Sequence, residues 1–245
     1  MDLPSEAFRD LQRCGPALLR YVVALLLALC SHRGIILAIT VWLPEEAYPG
    51  GFAAANLCAA LFIAVILSAV QAVFLSVLGA AIDKPLWKCK GAADSLKRFF
   101  SLWLIINLVL ITLVDIQARL FTADMKDMAA FMEFVIIAAH VTAMPVGACI
   151  MHWGAFNWHE LTDALKPIVR LFSMTLLPVI IGFIQYTLAG GRGLAMTENM
   201  LFNFLFFTIT DIPLIVVDAY IFTLVWRICM HYRSLPPEIE DPFDF

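Results

Sequence analysis

The chain has 245 residues, of which 62% are hydrophobic and 15% charged, a formal net charge of −4 and a mean hydropathy of +0.88. Soluble domains carry roughly 45–50% apolar and about 25% charged residues, so this composition excludes an ordinary water-soluble globule. The solvent it fits is lipid, where a helical span needs about 20 mostly apolar residues.

Residues 1–16 open the chain as an amphipathic lead-in carrying Asp2, Glu6 and Asp10. No small-residue cleavage site follows, so the next apolar stretch is expected to be a retained span and not a removed leader. Six stretches then qualify as spans: Ala17–Leu43, Phe52–Ile82, Phe99–Leu120, Phe131–Trp153, Ile168–Ala189 and Leu201–Cys229. None shows the two-residue alternation of a membrane β-barrel strand, which leaves helices as the way to satisfy the backbone in lipid. The connections "PEEAYPGG", "TADMKD" and "GGRGLAMTEN" are short and rich in turn residues, as helical hairpins require. Residues 231–245 form an acidic tail ending "SLPPEIEDPFDF", read as a solvated terminus, with a docked tail as the alternative.

A faint threefold rhythm accompanies the spans. Glu6-Ala7-Phe8-Arg9, Asp94-Ser95-Leu96-Lys97 and Asp163-Ala164-Leu165-Lys166 share an acidic, small, apolar, basic order, and each precedes an odd-numbered span. Ser5 and Thr162 stand where an N-cap would start the first and third lead-in helices. The fold expected is all-α: one integral membrane domain over residues 1–245, with about six transmembrane helices arranged as three parallel helical hairpins behind short amphipathic lead-ins.

Basic residues set the orientation. Arg9, Arg13, Arg20, Lys84, Lys88, Lys90, Lys97, Arg98, Lys166, Arg170, Arg227 and Arg233 fall on one side, against Lys126, Arg192 and Arg119 on the other. Twelve against three places both termini in the cytoplasm, in a plasma or inner membrane or its organelle equivalent. Trp87, Trp103, Trp153, Trp158 and Trp226 are expected to form an aromatic belt at the inner boundary, with Trp42 at the outer one. The six cysteines lack metal or redox spacing and read as small core residues, with Cys14, Cys89 and Cys229 placed where acylation would reach them.

Charged residues within the spans are the candidates for function, because a charge at mid-membrane costs about 2.5–3.5 kcal/mol on the insertion scale and calls for a partner or a wet interior. Counting along the helices puts Arg33 and Asp211 at one depth, slightly outside the membrane centre, where they can meet. Asp115 and Arg119 are spaced to pair on one helix face, and Glu133 lies near enough to the outer boundary to reach headgroups or water. Asp218 falls about 10 Å further inward than Asp211 on nearly the same face, with no basic residue at its depth. Two carboxylates stacked in this way are separate stations and not a dyad sharing one proton. Pro213 removes a backbone NH, so a kink beside Asp211 is expected. His140, near the middle of the fourth span, is either a bond to another helix or a proton relay.

The chain has no HExxH, P-loop, GxGxxG or nucleophile elbow, which argues against an enzyme, a cofactor and a metal centre. Nothing in it suggests nucleic-acid binding. Three readings remain: a non-catalytic subunit of a larger membrane complex, with other membrane proteins as partners beside the bilayer; a transporter or channel with an ion or proton path at Asp211 and Asp218; and an intramembrane enzyme, for which only His140 and the carboxylates speak.

Overall fold

The computed structural model describes residues 2–83, 87, 89–154, 161–192 and 199–235. These residues form eight helices: α1 (Leu3–Arg13), α2 (Gly15–Trp42), α3 (Pro49–Ile82), α4 (Ala92–Thr122), α5 (Lys126–Trp153), α6 (Leu161–Arg170), α7 (Phe172–Gly191) and α8 (Met200–Ser234). Six of them, α2, α3, α4, α5, α7 and α8, are long and apolar enough to cross a membrane, and the protein is a helical membrane bundle. No strand occurs among the described residues.

The spans pair in chain order as three antiparallel hairpins, α2 with α3, α4 with α5 and α7 with α8. Further packing of α3 on α4, α5 on α7 and α8 on α2 closes them into a ring, and α8 also packs on α5 and α3 across it. The two ends of the bundle are the lead-in side, which holds α1 and α6, and the hairpin side, where α2, α4 and α7 end.

The lead-ins behave as the repeated tetrads suggest, with one difference. In α1, Leu3, Ala7 and Leu11 fall on one face: Leu3 and Ala7 pack with Leu224 and Ile228 of α8, and Leu11 joins the main core. Arg227 of α8 ties that helix down through ion pairs to Asp10 and Glu6. The small residue of all three tetrads is buried, Ala7, Ser95 and Ala164 alike. The second lead-in, however, is not a separate helix: it is continuous with the span in α4, since residues 92–98 contain neither Gly nor Pro to break it. The third does break, at Leu171, so the fifth span begins at Phe172 and not at Ile168.

The expected caps are displaced. Asp2 caps α1, its carboxylate accepting from the Ser5 NH at 3.5 Å, while the Ser5 hydroxyl donates back to the Asp2 carbonyl. Thr162 lies within α6 and does not cap it. Asn199 caps α8 by accepting from the Phe202 NH at 3.0 Å. Gly154 ends α5 in the left-handed region, φ +101°, a conformation that a Cβ would strain.

The tryptophan belt is corrected by burial. Trp87, Trp103 and Trp226 lie in the packed interior of the lead-in half, with Trp103 and Trp226 almost fully enclosed. They fit because glycines face them: a Cβ on Gly79 would stand 2.5 Å from the Trp226 ring, and one on Gly147 2.5 Å from the Trp103 ring. The Trp87 indole NH donates to the Met151 carbonyl at 2.7 Å. A belt tryptophan would face lipid headgroups; these fill space between helices. Trp42 is the exception and is exposed. Trp158 and residues 236–245 of the acidic tail lie outside the described residues.

Two of the three cysteines considered for acylation, Cys14 and Cys229, are buried and out of reach of that chemistry. Burial, with Asp10 nearby, also pushes the Cys14 thiol above its ordinary value. Cys229 stands with its sulfur 3.3 Å from that of Cys149, both free.

Candidate functional site

Asp211 and Asp218 stand seven residues apart on α8, and helical geometry places both on nearly the same face. α8 runs unbroken through Pro213, which lies on its exposed side between them. The two carboxyls meet different neighbours.

Asp211 is 4% exposed and held by two guanidiniums. Arg33, from the hairpin half of α2, donates through Nη2 to Oδ2. Arg192, immediately after α7, donates through Nη1 to Oδ1 at 2.7 Å and to the Thr210 hydroxyl at 2.9 Å. The Phe207 ring faces both cations, its centroid 5.5 Å from the Arg33 guanidinium carbon and 5.4 Å from that of Arg192. The cluster thus joins α2, the end of α7 and α8, and charge-assisted bonds of this kind are the strong ones. The sequence brings Arg33 and Asp211 to one depth. It does not show Arg192, which reads as part of a turn; its side chain reaches inward from the helix end.

Asp218 lies at the middle of the bundle, half-buried, and receives one hydrogen bond, from the Gln185 amide at 2.8 Å. The same amide also donates to the Leu214 carbonyl at 2.9 Å. No arginine or lysine forms an ion pair with Asp218 among the described residues. The carboxyl borders a cavity of about 250 Å³ enclosed by α3, α4, α5, α7 and α8. Gln71, Asn107, His140 and Gln185 line it with Asp218, and each comes from a different helix. Asn107 donates to Ser68 at 3.0 Å and to Gln71 at 2.7 Å, so the α3–α4 wall is itself hydrogen-bonded. Trp103, Met144 and Ile221 close the cavity toward the lead-in half.

A second polar line leads toward this cavity from the hairpin side. Glu133, seven residues before His140 on α5, accepts from the Tyr186 hydroxyl at 2.7 Å and from the Gln117 amide. The Tyr186 ring in turn lies against His140, with centroids 5.3 Å apart. Glu133 is therefore joined to α4 and α7 through its bonds and does not simply reach for headgroups. Asp115 and Arg119 pair on α4 at 2.7 Å, and both side chains are more than half exposed, which separates them from the buried polar groups.

Sequence reading weighed charges and passed over amides. Gln71, Asn107 and Gln185 are uncharged, yet they are as out of place in lipid as hydroxyls and equally call for partners. The signal was a polar side chain near the centre of each of three spans. What it lacked was the helix neighbours that turn three scattered amides into one wall.

Chemically the cavity can hold a few waters or a small polar solute beside one carboxyl. Among the described residues no group of three or more histidine, cysteine or acidic side chains is placed to bind a metal ion. The architecture is that of a polytopic helical membrane bundle with an internal, mostly apolar cavity into which five polar side chains are set. Comparison with known proteins gives no match, neither to a family model nor to a curated protein or a solved structure.

Proposed function

We propose that the protein is a transporter or channel for protons or a small cation, with Asp218 as the station at the membrane centre. The observation that carries this reading is the Asp218 carboxyl bordering a cavity that Gln71, Asn107, His140 and Gln185 also line, with an amide partner and, among the described residues, no ion pair. A carboxyl of that kind at mid-membrane is costly, and the costs of such groups are characteristically met where an ion or proton is handled. Asp211 plays the opposite part, a buried ion cluster that fixes α2 and α7 against α8. The line from Glu133 through Tyr186 to His140 supports access from the hairpin side, and Trp103, Met144 and Ile221 close the cavity on the side away from it.

The test is flux. Reconstituted wild-type protein should move protons or a monovalent cation across vesicles, and Asp218→Asn should abolish that flux while the protein still folds and inserts. Absence of flux for every ion tried, over a range of pH, would remove this reading. The subunit reading assigns no work to the cavity and comes second; purification with a fixed stoichiometric partner is the result that would bring it forward. We further infer that both termini face the cytoplasm, as the distribution of basic residues supports. Cysteines introduced at Gly50, Asp127 or Gly191 should then be labelled from outside and those at Gly91 or Ser234 only from inside.

A further inference from the structure

A groove of about 360 Å³ runs between α7 and α8 on the hairpin side. Its floor is apolar, formed by Ile181 and Leu188 from α7 and Pro213 and Val217 from α8, and Arg192 and Thr210 stand at one end. Leu188 and Pro213 are exposed, so the groove opens sideways, toward the lipid that surrounds a span. From Ile181 to Arg192 is eleven residues, or about 16 Å at the helical rise, close to half of the roughly 30 Å hydrocarbon core. That is the reach of one acyl chain in one leaflet.

Among the described residues the charge at the end of the groove is not balanced: two guanidiniums, Arg33 and Arg192, face the single carboxylate of Asp211, and Thr210 adds an acceptor without charge. Within that set one positive charge is left over. Arg33 Nη1 is buried without any hydrogen-bond partner, an independent sign that the cluster has more donors than acceptors. Arg192 is the member of the cluster that lines the groove. Its backbone stands at the hairpin-side end of α7, one of the candidate membrane spans.

From these observations we propose that the groove between α7 and α8 binds an anionic phospholipid, with one acyl chain laid along Ile181, Leu188, Pro213 and Val217 and the phosphate held at Arg192. The apolar floor is satisfied by any acyl chain, so the selectivity lies in the charge: a zwitterionic lipid brings its own cation to the mouth of the groove, whereas an anionic one supplies the negative charge that the two arginines lack. Such a lipid bridges the α7–α8 hairpin at the point where Pro213 leaves α8 without one of its backbone hydrogen bonds.

The experiment is native mass spectrometry of the full chain in a non-ionic detergent, incubated with phosphatidylglycerol, with phosphatidylcholine of the same acyl chains, or with palmitate. Phosphatidylglycerol should be retained about five-fold more than phosphatidylcholine, the factor expected for one basic residue facing an anionic headgroup. Arg192→Gln should erase that preference while Asp211 keeps Arg33. Leu188→Trp fills the groove and leaves every charge in place, so it should lower retention of phosphatidylglycerol to the level of phosphatidylcholine without loss of helicity. Equal retention of the two phospholipids by the wild type, unchanged retention in both variants, or retention of palmitate with no phosphatidylglycerol would each overturn the proposal. Gln185 also lines the groove, but neither substitution replaces it or Asp218 and the readout is retained lipid, so the outcome is distinguishable from whether the protein carries ions.

Discussion

Around Asp211, cations from α2 and from the end of α7 converge on one carboxylate; around Asp218, two helical turns away on α8, a single neutral amide donates to the carboxyl, which borders a cavity. The residue type, the helix and nearly the face are shared, so the contrast arises from what the neighbouring helices present. The Asp211 carboxylate, tied to cations from α2 and from the end of α7, serves as a joint. The Asp218 carboxyl borders a cavity and forms no ion pair among the described residues. Packing differs along the bundle as well: tryptophan rings pressed on Gly79 and Gly147 fill the interior of the lead-in half, although a cavity of about 790 Å³ opens beside Trp87 at its edge.

The comparison breaks most sharply at Asp211. Asp211→Leu leaves two half-buried guanidiniums without their buried counter-charge, and stability in detergent should fall by about 3 kcal/mol, the lower end of what removing one side of a buried ion pair costs. Arg33→Leu should cost less, because Arg192 still holds the carboxylate. The double change of Arg33 and Asp211 to leucine should not restore the wild-type level, since Arg192 is then left alone. Thermal unfolding of the four proteins measures this, and full recovery in the double variant would show that Arg192 plays no part in the cluster.

Gly147→Ala tests the tight half. Its Cβ would stand 2.5 Å from the Trp103 ring, and overpacking of that kind costs about 1–3 kcal/mol. The loss should appear as a lowered melting temperature. An alanine tolerated without change would mean that the tryptophan has room to move and that the lead-in half is looser than its packing indicates.

At Asp218 the change in stability should be smaller still. Asparagine keeps the shape and can still accept from Gln185, so Asp218→Asn should alter stability by less than about 1 kcal/mol, in the range of a neutral hydrogen bond. Its effect should be seen in flux. A variant as unstable as Asp211→Leu would make the two aspartates alike and both structural. Weakest of all is the exposed pair on α4: Arg119→Gln should shift stability by no more than about 0.5 kcal/mol, as solvent-exposed i, i+4 pairs do. A larger loss would place that pair against a surface that covers it.

Hydropathy alone determined that this chain is a six-helix membrane bundle paired as hairpins, because spans of this length must hydrogen-bond within themselves and the short turns leave antiparallel neighbours no other arrangement. Residue counting also brought Arg33 and Asp211 to one depth, since helical rise converts sequence position directly into distance along a span. Which faces meet is another matter. Position along the chain says nothing of the rotation of each helix or of which spans are neighbours in the ring, and those two quantities decided that Arg192 joins Arg33 at Asp211, that amides on α3, α4 and α7 gather with Asp218, and that Trp87, Trp103 and Trp226 lie inside and not in a belt. In lipid the outward and inward faces of a span can be equally apolar, so the periodicity that orients a soluble helix is weak here, and packing of glycines against rings and of polar groups against one another supplies the orientation instead.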